Sequence, residues 1–172
     1  MRNDDFWWGG DPFTSLEKGL LVTAEDPDGQ GPASNPMTVS WGLFGILYGA
    51  PTALLALRES RYTLSLLQKS SRLTISRLPE GERFAEALCL CGRRSGREGD
   101  KWAPAGLHPT CREGYFFPAE AERVLFCRLY GKIPLQPGYF TTDALPEIRE
   151  RFYPTGDYHT LCLCRIEAAY PG

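Results

Sequence analysis

The chain has 172 residues, 42% of them hydrophobic and 23% charged, with 19 Lys and Arg against 21 Asp and Glu for a formal net charge of −2. That balance describes one well-buried domain spanning 1–172 and excludes a disordered chain or a polyanion-binding one. Basic residues are scattered except at Arg93, Arg94 and Arg97, an arrangement suited to one small anionic group and not to nucleic acid.

No stretch approaches the ~20 apolar residues of a membrane-spanning helix, and the opening MRNDDFWWGGDPF lacks the apolar run of a signal peptide. The expectation is a cytoplasmic protein without membrane contact. In such a reducing setting the six cysteines are read as thiols.

The 18 glycines and 14 prolines are spread along the chain, as expected for many short turns between short strands. GLLVTAE (19–25) reads as a strand, DPDGQGPAS (26–34) as its turn and NPMTVSWG (35–42) as the returning strand of a hairpin. The apolar residues Met37, Val39 and Trp41 alternate with Thr38 and Ser40, so the polar face of that strand carries hydroxyls and no charge. GLFGILYGAP (42–51) has so few polar groups that it reads as core or as an interface. TALLALR (52–58) is a continuous apolar run, expected to be buried on both faces near the centre of a sheet. RYTLSLLQKS (61–70) has the spacing of a short amphipathic helix, RLTISRL (72–78) of a strand, and GERFAEALCLCG (81–92) of a helix with a glycine stop. After the loop RRSGREGDKWAPAG, residues 121–135 read as a strand with a helix-like lead-in, DALPEIRERF as a brief helix and YHTLCLCRIEAAY (158–170) as a final strand. Six or so strands with a few short helices point to a β-rich (α+β) fold, a closed or partly closed antiparallel β-barrel.

Two C-x-C pairs, Cys89/Cys91 and Cys162/Cys164, could offer thiolates from one strand face. Both are embedded in leucine, where cysteine behaves as a small buried hydrophobe, and no metal site is predicted. His108 sits in a turn, and His159 reads as a hydrogen-bonding strand residue, not a general base. With no G-x-S-x-G elbow, no G-x-G-x-x-G and no P-loop, no catalytic side chain is predicted. If this is an enzyme, the reactive atoms belong to a cofactor.

A flavin mononucleotide suits the residues present. Its ring needs hydrogen-bonding groups and an aromatic wall, which Thr38, Ser40 and Trp41 supply. Its phosphate needs hydroxyls and cations, which RESRYT (58–63) supplies through Arg58, Ser60, Arg61 and Thr63.

These residues fall within NPMTVSWG, RESRYT and SGREGDK, three ordered motifs that together resemble the flavin reductase-like, flavoredoxin-type family. An L-x-K-G (Leu16, Lys18, Gly19) and a late D-x-H-T (Asp157, His159, Thr160) extend the likeness over nearly the whole chain. The resemblance implies a split β-barrel that forms a homodimer and binds FMN near the dimer interface. Asn35, Met37, Thr38, Ser40 and Trp41 would form the flavin-facing strand. Arg58, Ser60, Arg61, Tyr62 and Thr63 would hold the phosphate. Ser95, Gly96, Arg97 and Lys101 would form a loop over the flavin, with Lys101 beside the reduced ring. The chain departs from the family pattern at LCLCRIE after His-Thr, at Pro36 and in the long turn 26–34. The implied activity is NAD(P)H-dependent reduction of flavin with a second flavin or another electron acceptor. A flavoredoxin-like electron carrier without NAD(P)H turnover and a non-catalytic split-barrel ligand-binding or interaction protein are the alternatives.

Overall fold

The computed structural model describes residues 11–27 and 33–171. The opening residues 1–10 and much of the turn read at 26–34, residues 28–32, lie outside the described residues.

Asp11 starts the first helix, α1 (Pro12–Lys18), by accepting hydrogen bonds from the amides of Phe13 and Thr14, and Pro12 occupies the first helical turn, where its missing N–H costs nothing. Gly19 ends α1 with φ +97°, a conformation that favours glycine. The chain then runs through β1 (Leu20–Glu25), β2 (Ser34–Val39), β3 (Gly42–Leu47), β4 (Ala50–Arg58), the short helix α2 (Tyr62–Leu66), β5 (Arg72–Arg77), α3 (Glu82–Arg93), a hairpin of β6 (Pro109–Arg112) and β7 (Tyr115–Pro118), β8 (Arg123–Pro134), α4 (Leu145–Phe152) and β9 (His159–Pro171). The β1–β2 hairpin, β5, α2, α3, α4 and β9 lie where the periodicity placed them, α2 being shorter than the segment read as helical.

Seven strands form one antiparallel sheet in the order β2-β1-β5-β8-β9-β4-β3. β2 and β3 are its opposite edges, yet only Ser40 and Trp41 separate them in the chain. The sheet therefore curls until its two edges meet. At the meeting point the Ala56 amide donates to the Trp41 carbonyl at 3.0 Å, but among the described residues no ladder joins β2 to β4. The result is a split antiparallel β-barrel, open along one seam. Two register shifts between the long strands β8 and β9 supply the local bends that such curling needs.

Alternate residues point inward. Leu20, Val22, Met37, Val39, Leu55, Leu57, Leu73, Ile75, Leu125 and Ile166 build the barrel interior, joined by Leu64, Leu66 and Leu67 around α2. On the outer face of β1, Leu21 packs with Ala87 and Cys91 of α3 and with Trp102.

The structure corrects several sequence expectations. β4 lies one strand in from the edge and alternates in burial from Ala53 onward; its outward Leu54 and Ala56 are half covered, not sealed on both sides. Residues 121–135 have no helical lead-in; they enter β8 directly. Strand β3 and the β6–β7 hairpin had no sequence assignment as strands. Cys89 and Cys91 lie on a helix, where a separation of two turns them to different sides, one exposed and one buried. Cys162 and Cys164 do share the inward face of β9, and burial pushes the Cys162 thiol up to about 12. Among the described residues no helix is long and apolar enough to cross a membrane.

Candidate functional site

The seam that splits the barrel is also where polar side chains gather. Met37, Thr38, Ser40 and Trp41 on one edge face Ala56 and Arg58 of β4, with Arg61 and His159, across a cleft of about 180 Å³. Met37 and Arg61 also line an adjoining recess of about 70 Å³, completed by Asn35, Ser60, Tyr62, Thr63, Cys91, Arg94, Ser95, Gly96 and Lys101.

The C-terminal end of α3 explains why cations collect at this recess. A helix leaves its last carbonyls without internal partners and carries partial negative charge there. Arg61 Nη1 donates to the Gly92 carbonyl at 2.9 Å and Lys101 Nζ to the Cys91 carbonyl at 3.3 Å. Lys101 is only 3% exposed, and no carboxylate among the described residues lines its recess. Burial, assisted by the nearby positive charges of Arg61 and Arg94, pushes its ammonium down to about 8. A buried cation held by a single carbonyl and two like-charged neighbours is suited to receive an anion.

The cleft is built differently. Trp41, 43% exposed, packs edge-on against Phe152 at 5.3 Å and tilted over His159 at 4.9 Å between centroids. The register pairs Arg58 with His159 across β4 and β9. His159 is buried, and the Tyr153 hydroxyl is hydrogen-bonded to its Nδ1 at 2.8 Å. Desolvation, with the Arg58 charge adding to it, pushes the imidazole down to about 4, so it is neutral at pH 7. The Thr38 hydroxyl donates to the Leu88 carbonyl at 2.6 Å, which leaves its lone pairs for a ligand. Ser40 is exposed at the cleft.

All of the sequence-derived site residues except Arg97 line the cleft or the recess. Arg97 stands at the rim, donating to the Ser60 carbonyl at 3.0 Å. Two are grouped otherwise than the motifs suggested. Arg58 faces the cleft, its terminal nitrogens donating to the carbonyls of Asp157 at 2.7 Å and Phe152 at 3.0 Å. Lys101 stands in the recess with Ser60, Arg61 and Thr63, not beside Trp41. Asn35 Nδ2 donates to the Thr63 hydroxyl at 2.8 Å, tying β2 to α2. The Ser60 hydroxyl donates to the Asp157 carboxylate at 2.7 Å. Sequence reasoning left His159, Arg94 and Tyr153 out of the site. The D-x-H-T pattern and the Arg93–Arg94 pair were the available signals for the first two; nothing local marks Tyr153.

Two larger depressions lie elsewhere. One, of about 730 Å³ between α1 and α3, is lined by Lys18 and Arg77, but these pair with Glu80 and Glu122. The other, of about 570 Å³ beside Trp102, has no lysine or arginine among the described residues of its lining. At the seam, among the described residues, positive charge without a paired carboxylate meets an aromatic wall.

A split barrel with a cationic recess opening onto an aromatic cleft is the architecture of a protein that holds a planar ligand by an anionic tail. Residues 18–171 match the Flavin reductase like domain, and the chain belongs to that family. Flavoredoxin of Desulfovibrio vulgaris (Miyazaki F) superposes with a TM-score of 0.67 at 19% identity, over 100% of this chain and 77% of that one. The FMN-binding protein of Thermus thermophilus gives 0.65 at 19% over 89% and 70%, and the styrene monooxygenase flavin reductase of Pseudomonas putida S12 gives 0.58 at 20% over 89% and 79%. At such identities these likenesses establish the shared fold. No curated protein sequence matches the chain.

Proposed function

We propose that the chain is a single-domain FMN-dependent oxidoreductase, taking hydride from NAD(P)H and delivering electrons to a second flavin or another acceptor. The observation that carries this reading is the recess beside the aromatic cleft, where Arg61, Arg94 and Lys101 converge with no carboxylate among the described lining residues. FMN, when bound, supplies a ring that accepts hydride and passes electrons on, so no side-chain nucleophile is needed.

The remaining work falls to the protein. Arg61, Lys101 and Arg94 counter the charge of the phosphate, and the hydroxyls of Thr63 and Ser95, which accept from Asn35 and from the Arg97 amide, keep their protons to donate to it. Charge-assisted contacts of this kind are worth roughly 1.5–3 kcal/mol each. Thr38 and Ser40 present polar groups to the ring edge and Trp41 forms a wall. Neutral His159, fixed by Tyr153, adds a polar group to the cleft without adding charge.

A second copy of the chain is the proposed partner. Leu43, Ile46 and Tyr48 are 63%, 66% and 79% exposed, and Tyr130 and Ile133 also face out. The register runs from Ile133 through Leu161 to Ala56, and Ala56 lines the cleft. An exposed apolar edge strand is a site for association, so a homodimer would meet next to the flavin site.

Steady-state oxidation of NAD(P)H by FMN-loaded protein tests the reading. Turnover beyond one equivalent per FMN is expected. The structural likeness to flavoredoxin supports a second reading, an electron carrier, which stoichiometric reduction without turnover would favour. Protein that binds no flavin would contradict both.

A further inference from the structure

We propose that the recess selects a terminal phosphomonoester and excludes the pyrophosphate of a flavin dinucleotide, with Arg94 completing the charge and Arg97 closing the far side. The inference rests on the flavin reading above and adds to it which flavin fits and why.

Charge comes first. A phosphomonoester carries close to two negative charges at neutral pH, whereas each phosphate of a dinucleotide bridge carries one. Three cations around one small recess match the monoester. Arg94 follows the last turn of α3 in extended conformation and lines the recess; no carboxylate among the described residues pairs with it.

Space gives the same answer. Pockets that enclose drug-sized ligands run to roughly 300–1,000 Å³, and this recess is about 70 Å³. It meets the cleft at Met37 and Arg61, while Gly96 and Tyr62 belong to its other walls. Gly96 lies so close to those walls that an added Cβ would collide with the Asn35 amide oxygen and sit 2.7 Å from the Tyr62 ring. Arg97 then fastens the loop. Its Nη1 donates to the Ser60 carbonyl at 3.0 Å and its guanidinium lies 5.1 Å from the Tyr62 ring centroid. Tyr62 is itself held by donation to Asp26 at 2.9 Å. A second phosphate and an adenosine have no way past this closure unless the loop lifts.

Fluorescence titration of the full chain with FMN, FAD and riboflavin, for wild type, Arg94→Gln and Arg97→Ala, tests the proposal. Wild type should bind FMN at least about tenfold more tightly than either competitor, a separation worth ~1.4 kcal/mol. Arg94→Gln should shrink the advantage of FMN over riboflavin. Arg97→Ala, at an exposed position, should bring FAD close to FMN while the Tm of the variant stays near that of wild type. Equal FMN and FAD affinity in wild type, or an FMN-to-FAD ratio unchanged in Arg97→Ala, would overturn the selectivity while leaving flavin binding in place. Failure to bind any of the three would overturn the flavin reading and the selectivity with it.

Discussion

Lys101 Nζ lies 3.3 Å from the Cys91 carbonyl, and that one carbonyl is its hydrogen-bonding partner in a recess shared with two arginines. The ammonium is held down at about 8 by burial, with the charges of Arg61 and Arg94 adding to it. Between pH 8 and the ordinary lysine range the unfolded chain therefore binds more protons than the folded one, and stability rises with pH across that window. Below it, the cost of keeping Lys101 charged is present in full.

Lys101→Met removes that cost. The apo protein should gain about 1–3 kcal/mol at pH 7, several degrees in Tm, while FMN affinity falls. A phosphate anion favours the charged lysine, so wild-type affinity should be greatest between about pH 6, where phosphate gains its second charge, and pH 8, and should decline above it. The alkaline decline should be absent in Lys101→Met. Calorimetric melting of the apo protein and flavin titration across pH check both halves; a variant with lower apo Tm would contradict this description of the recess.

His159 shows the same physics with its own pH window. Its imidazole is pushed down to about 4 from an unfolded value near 6.5, so the stability it contributes in neutral form is lost as pH falls from about 6.5 to 4. The loss is on the order of 2–3 kcal/mol. Denaturation of wild type and His159→Gln from pH 7 to 4 should show the stability difference between them shifting against wild type as the pH drops. Parallel profiles would mean that His159 is not held neutral by its surroundings.

The exposed face at β3 makes a prediction about assembly. Replacing Leu43 and Ile46, both more than 60% exposed, by Glu should convert a dimer to a monomer without lowering Tm by more than the association itself contributes. Light scattering after size-exclusion chromatography reads the mass directly. A monomeric wild type would remove the dimer from the proposal.

Legibility of the fold in the sequence follows local pattern. The alternation in β2 and β5 is plain because Met37, Val39, Leu73 and Ile75 face the barrel interior, and the helical spacing of α3 is equally plain. β3 escaped because its apolar residues are largely exposed, which erases the period-two signal. The β6–β7 hairpin escaped because its four-residue strands turn through Glu113 and Gly114, at φ +55° and +79°, and Glu hides a turn that Asn or Asp would announce. The three motifs brought most of the site residues to notice. Their grouping was not legible. Lys101 joins Ser60, Arg61 and Thr63 in the recess because α3 ends where it does, and Arg58 faces the cleft because the carbonyls of Phe152 and Asp157 lie in reach. Both placements depend on contacts far apart in sequence.

The proposed function requires FMN at the seam of the barrel with its phosphate among Arg61, Arg94 and Lys101. Titration of FMN into wild type and into an Arg61→Ala/Lys101→Ala double variant, followed by flavin fluorescence at pH 7, tests it most directly. Wild type should bind one FMN per chain, and the variant should lose roughly 3–6 kcal/mol, two charge-assisted contacts at ~1.5–3 each. Equal affinity in the two proteins, or no FMN bound by wild type, would contradict it.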